Sequence, residues 1–248
     1  MIRRLPALLG LAAPLLLAAM PAAAQSLNLD LGGEDGSTTS LIIQLVALIT
    51  VLSLAPSILV MVTSFTRIVV VLSFLRSALG IQQTPPNAVL ISLALFLTFF
   101  IMTPVFETAY QDGIQPLINN EIDEAQAFER TVAPFRTFML GHVREQDLAL
   151  FLEMSGEDVE VFAPEDTPIQ ALIPAFMISE LRRAFEIGFL LFLPFLIIDM
   201  VVASILMSMG MMMLPPIMIS LPFKLIFFVL VDGWYLVAGS LVRSYGTF

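Results

Sequence analysis

Three uncharged stretches of this 248-residue chain constrain its fold more than any other feature. They cover residues 36–66, 77–106 and 187–223, and a single charged side chain, Asp199, interrupts the last one. About 20 apolar residues are enough for a helix to cross the hydrocarbon core of a bilayer, so the 37-residue third stretch must cross twice. Pro215 and Pro216 mark its turn, because proline breaks a continuing helix. The pattern predicts an all-α fold with four apparent transmembrane segments, near residues 41–62, 88–106, 187–207 and 217–238.

Composition excludes several function classes. The chain is 58% hydrophobic and 13% charged, against roughly 45–50% and about 25% in typical soluble proteins. Such a surplus of apolar side chains must face lipid or other subunits. No cysteine and a single histidine exclude disulfides, a cysteine nucleophile and a multi-histidine metal site. The net charge of −10 makes nucleic acid a poor partner, and no cofactor-binding motif is present.

The N-terminus has the features of a cleaved secretory signal peptide. Arg3 and Arg4 precede an apolar stretch, and small residues follow it up to residue 24. A cleaved signal leaves the mature N-terminus outside the cell membrane. The four segments then place Arg67 and Arg76 in an inner connection and residues 107–180 outside.

The outer segment, residues 107–180, carries 15 acids against three arginines. Residues 121–151 have the apolar spacing of an amphipathic helix, and a helix-start signal stands at residues 166–168. Beyond it, spacing predicts intrahelical ion pairs from Glu180 to Arg183 and from Arg182 to Glu186. We therefore predict five parts, namely a signal peptide (1–24), a mobile N-terminus (25–40), a first hydrophobic hairpin (41–106), an acidic periplasmic helical insert (107–180) and a second hairpin (181–248).

Methionine is concentrated at the turn of the second hairpin, in a segment that we call the Met-rich loop, residues 207–213. A turn exposed to water is normally polar, so a turn made of thioethers is expected to pack against protein or line a pore. Repeated around a symmetry axis, this loop would form an apolar gasket. The candidate gasket residues are Met209, Met211, Met212 and Met213.

Asp199 and Lys224 lie in apolar sequence on opposite arms of the same hairpin. A lone charge in such surroundings is costly and is expected to find a partner. Counted from Pro215 and Pro216, the two positions differ by a helical offset of roughly 12 Å. That offset favours a pair between neighbouring subunits. A proton relay is the alternative role.

The remaining charged positions give weaker signals. Arg67 and Arg76 are nine positions apart, which suits anchors at the inner membrane face as well as a role in gating. Gly80 can end their helix, and Asn87 can cap the next one. We predict a surface position for His142. With so few candidate nucleophiles and bases, the chain is not expected to be an enzyme.

Four runs of sequence resemble a known family. They are TSFTRIVVVLSFLRSALGIQQTPPN, ALFLTFFIMTPVF, PAFMISELRRAFEIGFLLFLPFLIIDMVVASILMSMGMMMLPP and LPFKLIFFVLVDGW. Together they closely resemble the FliP family of export-gate subunits, over nearly everything from residue 40 to residue 244. The match is less marked in the leader and in the acidic insert.

The resemblance implies a core component of the flagellar type III secretion gate, which passes unfolded flagellar subunits across the inner membrane. It implies a pentamer that joins FliQ and FliR in a closed helical oligomer, topped by the rod of the basal body and served by FlhA and FlhB. It also implies that the Met-rich loop seals the pore and that Asp199 and Lys224 match positions of functional importance. Family members are largely lifted out of the bilayer, with their apparent spans packed as bent hairpins.

Two alternatives remain open from the residues. An ion-coupled transporter would use the intramembrane acids Asp199 and Asp232. The virulence-type, or injectisome, homologue of the same gate would share the motifs, although the signal peptide and the acidic insert favour the flagellar branch.

Overall fold

The computed structural model describes residues 37–81, 83–156, 167–211 and 213–246, and this part of the chain is helical without any strand. The predicted signal peptide, most of the predicted mobile N-terminus and Met212 lie outside the described residues. The chain divides into two compact units, residues 1–52 and 53–248. The described helices are α1 (Ser37–Val62), α2 (Phe65–Ala78), α3 (Asn87–Ala109), α4 (Glu124–His142), α5 (Glu145–Ser155), α6 (Ile169–Ser208), α7 (Pro216–Leu230) and α8 (Gly233–Arg243).

The candidate membrane spans agree only in part with the sequence-based count. Helix α3 continues through a π-helical turn, Tyr110–Ile114, into a last short turn, Gln115–Ile118. Within the part of the chain that the structure describes, two helices, Asn87–Ile118 and Ile169–Ser208, are long and apolar enough to cross a membrane. The number rises to four if each of two bent helix pairs forms one span, so the exact count of four stays a prediction.

Helix α2 replaces part of the predicted inner connection. Its buried residues include Ile68, Val71, Leu72 and Leu75, whose i, i+3, i+4, i+7 spacing forms one apolar helix face. A search for long uncharged stretches overlooks this face because Arg67 and Arg76 flank it and leave only a short uncharged run between them. The helix ends at Ala78, and the predicted stop residue Gly80 follows it with a φ of 78°, a left-handed conformation that glycine adopts without strain.

Helices α2 and α6 run side by side in the same direction. The rings of Phe74 and Phe185 meet edge to face with centroids 5.0 Å apart. A Cβ atom on Gly188 would lie 2.6 Å from the Phe74 ring, so the glycine permits this close approach. Helix α7 returns along α6, where the rings of Phe195 and Phe227 also meet edge to face.

The long helix α6 starts earlier than its apolar sequence indicates. It runs for 40 residues from Ile169, about 60 Å at 1.5 Å per residue, and crosses the predicted boundary at 180/181 without a break. The charged residues that set the predicted start near residue 187 do not interrupt it, because Glu180 has a partner on another helix and Arg182 pairs with Glu186 one turn later. The pair from Arg182 to Glu186 is confirmed, whereas the predicted pair from Glu180 to Arg183 is wrong.

The helix predicted over residues 121–151 of the acidic insert is two helices rather than one. Helix α4 ends at His142, and α5 begins at Glu145 after two residues in extended conformation. Helix α4 packs against α3, with the rings of Phe106 and Phe135 5.8 Å apart. The insert is thereby fixed to the body of the second unit.

The contact between the π-helical turn and α4 gives a stability prediction. A Cβ atom on Gly113 would lie 2.1 Å from Thr131 Oγ1 and 2.8 Å from its backbone nitrogen. We therefore expect Gly113→Ala to lower stability by about 1–3 kcal/mol, the usual cost of overpacking, measured by thermal unfolding in detergent. Gly141→Ala is the matched control, because nothing lies within 4 Å of its Cβ position. Equal stability of the two variants would contradict the close packing of Gly113.

Candidate functional site

The hairpin formed by α6 and α7 brings Asp199 and Lys224 together within one chain. Lys224 Nζ lies 2.6 Å from Asp199 Oδ2 and donates a second hydrogen bond to the carbonyl oxygen of Ala78 at 3.2 Å. Ser220 Oγ donates to the other carboxylate oxygen, Oδ1, at 2.5 Å. We call Asp199 and Lys224 the hairpin ion pair.

The expectation that this pair forms between subunits is wrong. Helix α6 ends at Ser208 and not at Pro215, so Asp199 lies nine residues before the end of α6, and Lys224 lies eight residues after the start of α7. The two helical arms are therefore nearly equal, about 14 Å and 12 Å, and the supposed offset disappears.

The hairpin ion pair also joins a third helix. Lys224 is buried, whereas about a third of the Asp199 side chain remains exposed. The carbonyl of Ala78 belongs to the last residue of α2, where unpaired carbonyl groups and the helix dipole favour a cation. One ammonium group thus holds α2, α6 and α7 together just below the turn of the second hairpin.

The Met-rich loop begins in the last turn of α6 and extends beyond it. Gly210, with a φ of 73°, ends the helix, and the Met211 amide donates to the carbonyl of Leu206 at 3.0 Å. Together with the bond from the Gly210 amide to Met207, this is a Schellman cap. The cap fixes the backbone of the loop as far as Met211, while the side chains of Met209 and Met213 are 63% and 98% exposed.

Arg67 forms a buried cluster that sequence reasoning missed. Its Nε atom donates to Glu180 Oε2 at 2.8 Å, and its Nη2 atom donates to Oε1. Neither side chain is exposed to solvent. Ser244 Oγ accepts from Nη1 at 2.9 Å, and the guanidinium carbon lies 3.8 Å from the ring centre of Tyr245. We call these four residues the buried ion cluster.

Tyr245 completes this cluster from the C-terminal end of the chain. Its hydroxyl donates to Glu180 Oε2 at 2.5 Å and lies 3.3 Å from the carbonyl of Ser64, in the turn between α1 and α2. Burial raises the pKa of the Tyr245 phenol well above its usual value, and the charge of Glu180 raises it further. Tyr245 therefore stays protonated and remains a hydrogen-bond donor.

The buried ion cluster corrects two predictions. Arg67 is not a membrane-face anchor, because such a side chain would be exposed, and this one is wholly buried. The predicted topology also put Arg67 inside and Glu180 outside. Two residues in contact cannot lie on opposite sides of a hydrocarbon core about 30 Å thick, so that topology is wrong for this part of the chain.

Arg76 and Asn87 fix the connection between α2 and α3. Arg76 donates from Nη1 to Asn87 Oδ1 at 2.5 Å and to the carbonyl of Pro85 at 3.3 Å. Asn87 is the first residue of α3 and makes no capping hydrogen bond, so its predicted role as a cap is wrong. The side-chain oxygen of Asn87, which a cap would use to accept a backbone N–H, instead accepts from Arg76.

A polar contact centred on Asp147 links α5 to α6. Arg144 donates to Asp147 from Nε at 2.8 Å, and Ser179 Oγ donates to the same carboxylate at 2.6 Å. The hydrogen bond from Arg144 lowers the pKa of Asp147. The stabilisation is present above about pH 4, the pKa of Asp in an unfolded chain, and is lost as the pH falls through the lowered pKa of the folded state.

We therefore expect thermal unfolding in detergent to show a larger loss of stability between pH 5 and pH 3 for the natural chain than for Asp147→Asn. Glu153→Gln, which changes an exposed acid on the same helix, serves as the control and should follow the natural chain. An identical acid response of the Asp147 variant would contradict this link.

Two further predicted residues have different surroundings from those expected. His142 is half-buried rather than a surface residue, with its ring 5.0 Å from the ring of Tyr245. Asp232 is exposed in the break between α7 and α8, with a φ of 51°. Within the described residues, no group of three or more acids or histidines could hold a metal ion.

Comparison with known proteins identifies what the chain is similar to. The model of the FliP family matches residues 48–241. The chain is 59% identical over 245 residues to the flagellar biosynthetic protein FliP of Caulobacter vibrioides, covering 98% of this chain and 91% of that protein. It is 56% identical over 212 residues to the protein of that name from Rhizobium meliloti, covering 85% and 86%. It is 54% identical over 212 residues to the flagellar biosynthetic protein FliP of Bacillus subtilis, covering 86% of this chain and 96% of that protein.

Proposed function

This chain belongs to the FliP family of flagellar biosynthetic proteins, and from that membership we propose that it is a core subunit of the flagellar type III protein export gate. The gate would be a protein-conducting pore for unfolded flagellar subunits, and the Met-rich loop would seal it. The family consists of structural components of the flagellar export apparatus and is not an enzyme family.

The exposed Met-rich loop is the observation that carries this proposal. A Schellman cap fixes its backbone as far as Met211, and Met209 and Met213 are largely uncovered. Thioether side chains are apolar and deformable, so several copies of the loop could close against one another and still yield to cargo of varied shape. The hairpin ion pair lies about two turns below the loop and would hold it in position.

The exposed apolar surface supports an assembly of several such chains. On α6 alone, eight large apolar side chains are more than half exposed, namely Phe185, Phe189, Leu190, Ile197, Met200, Val201, Ile205 and Met207. A surface of this extent requires lipid or protein to cover it. We propose that copies of this chain cover it, in the closed pentamer that family resemblance implies.

The partners and the location belong to the same proposal. We infer an assembly with FliQ and FliR, served by FlhA and FlhB and topped by the flagellar rod, in the bacterial inner membrane. A cleaved signal peptide, residues 1–24, and a periplasmic position for the insert, residues 107–180, are part of this proposal. So is the division into two hydrophobic hairpins, residues 41–106 and 181–248. Because Arg67 contacts Glu180, the proposal places Arg67 on the same side of the membrane as the insert.

Secretion by cells that lack this chain tests the proposal directly. Deleting its gene should abolish the appearance of hook and filament proteins in the culture medium while their intracellular synthesis continues. Expression of the chain from a plasmid should restore secretion. Normal secretion by the deletion strain would contradict an export function, and loss of virulence-type substrates alone would identify the injectisome branch.

The geometry gives the ion-coupled alternative less support. Asp199 is held by Lys224 and Ser220, and Asp232 is exposed at a helix break. A relay needs groups that can exchange protons in sequence, whereas these two acids do not share a hydrogen-bonded chain in the described residues. Asp199 therefore fits a structural role.

A further inference from the structure

His142 joins the insert to the C-terminal end of the chain. It is the last residue of α4 and the only histidine of the protein. Its Nδ1 atom lies 2.8 Å from the carbonyl oxygen of Phe138, and its Nε2 atom lies 3.3 Å from the carbonyl oxygen of Tyr245. Each ring nitrogen thus faces a hydrogen-bond acceptor.

A neutral imidazole cannot satisfy both of these acceptors. It carries one N–H group, so its other nitrogen would place a lone pair against a carbonyl oxygen. Only the imidazolium form donates to Phe138 and Tyr245 at once. The contact between α4 and the C-terminal segment therefore depends on the second ring proton.

The ring lies at the C-terminal end of α4, beside two aromatic rings. The C-terminus of a helix attracts a cation through its dipole and its unpaired carbonyl groups. The faces of two aromatic rings also attract cations, and the His142 ring centre lies 4.6 Å from that of Phe138 and 5.0 Å from that of Tyr245.

Nearby charges are mostly compensated by partners. His142, Asp112 and Arg130 all line a groove of about 690 Å³ between α3 and α4. Asp112 and Arg130 carry opposite charges. Other charged groups near His142 or Tyr245 include the paired Arg144 and Asp147, the paired Arg67 and Glu180, Arg183, and Arg243 next to Ser244.

We propose that His142 is a proton-operated latch between α4 and the C-terminal segment, residues 244–246. The latch is fastened when the imidazole carries both protons and is loosened when it loses one. Histidine changes its charge between pH 5 and 8, so the latch responds to the acidity around the insert. Because Tyr245 also holds Glu180 and contacts Arg67, the state of His142 reaches the buried ion cluster.

Nitrogen NMR of the full chain in detergent tests this proposal, because ¹⁵N-labelled histidine gives signals from one ring only. At pH 5.5 both ring nitrogens should have the shifts of protonated nitrogens, and at pH 8 one should not. Hydrogen exchange of the amides of Tyr245 and Gly246, corrected for the intrinsic effect of pH, should become about tenfold faster at pH 8. The two changes should share one midpoint.

Two variants separate the latch from a general effect of pH. In His142→Gln, which never carries a charge, the corrected exchange should not change with pH. In Tyr245→Phe the pH dependence should persist, because His142 bonds to the backbone carbonyl and not to the phenol. The proposal would be overturned by the same pH response in His142→Gln as in the natural chain. If His142→Gln does not fold, ring titration without a matching change in exchange overturns it.

Discussion

The Arg67→Met variant should lose about 3–5 kcal/mol of stability and fail to accumulate as folded protein. The substitution removes the partner of Glu180, a carboxylate with no exposure to solvent. It also removes the donor to Ser244 and the cation over the ring of Tyr245. We expect Glu180→Gln to have a similar effect, because it leaves the guanidinium buried without a counter-charge. Yield and thermal unfolding in detergent measure both effects.

Helix α6 offers a matched control for this prediction. Arg182 forms an ion pair with Glu186, with both side chains more than half exposed, and such pairs contribute about 0.3–0.5 kcal/mol. We expect Arg182→Met to accumulate normally. If Arg67→Met and Arg182→Met were equally stable, the buried ion cluster would have no role in holding α2, α6 and the C-terminal segment together.

Loss of the hairpin ion pair should have the second-largest effect. Lys224→Met leaves Asp199 without its cation and the carbonyl of Ala78 without the donor that joins α2 to the hairpin. Because part of Asp199 reaches solvent, we expect a smaller loss, about 1–3 kcal/mol. The gate complex should therefore assemble poorly, which size-exclusion chromatography of the purified complex would show.

The Asp199→Asn variant separates a structural pair from an ion-coupling site. If the pair is structural, Asp199→Asn should weaken assembly and secretion together, since the amide keeps the Ser220 hydrogen bond but not the charge. Asp232→Asn, at an exposed acid in the same hairpin, is the control and should behave like the natural chain. A complex of Asp199→Asn that assembles fully but secretes nothing would favour the ion-coupled transporter.

The sequence predicts the second hairpin well because its signals are local. The Met-rich loop and the isolated charges of Asp199 and Lys224 can be recognised from their neighbours in sequence. Their pairing within one chain could not be predicted, since it depends on whether α6 ends at Ser208 or at Pro215. Because Gly210, in left-handed conformation, ends α6 at Ser208, this arm of the hairpin is about two helical turns shorter than a count to Pro215 gives.

The buried ion cluster was not predictable in the same way. Arg67 and Glu180 are 113 positions apart, and each looks like the edge of a membrane segment when the sequence is divided by charge. Neither the C-terminal Tyr245 nor the half-buried ring of His142 has a local signal. In long apolar sequence, a charge therefore marks either a membrane boundary or an interior pair, and only the packing of the helices distinguishes the two.

Solute leakage through the assembled gate tests the central claim most directly. Met211, Met212 and Met213 would be replaced together by Ala in cells that express the complete complex, and the entry of a small membrane-impermeant dye would be measured. As a control, Met154 and Met218, which are exposed on α5 and α7 outside the loop, would be replaced in the same way. We expect the loop variant to admit dye and the control to remain tight. A loop variant that assembles and stays as tight as the natural complex would contradict a methionine seal.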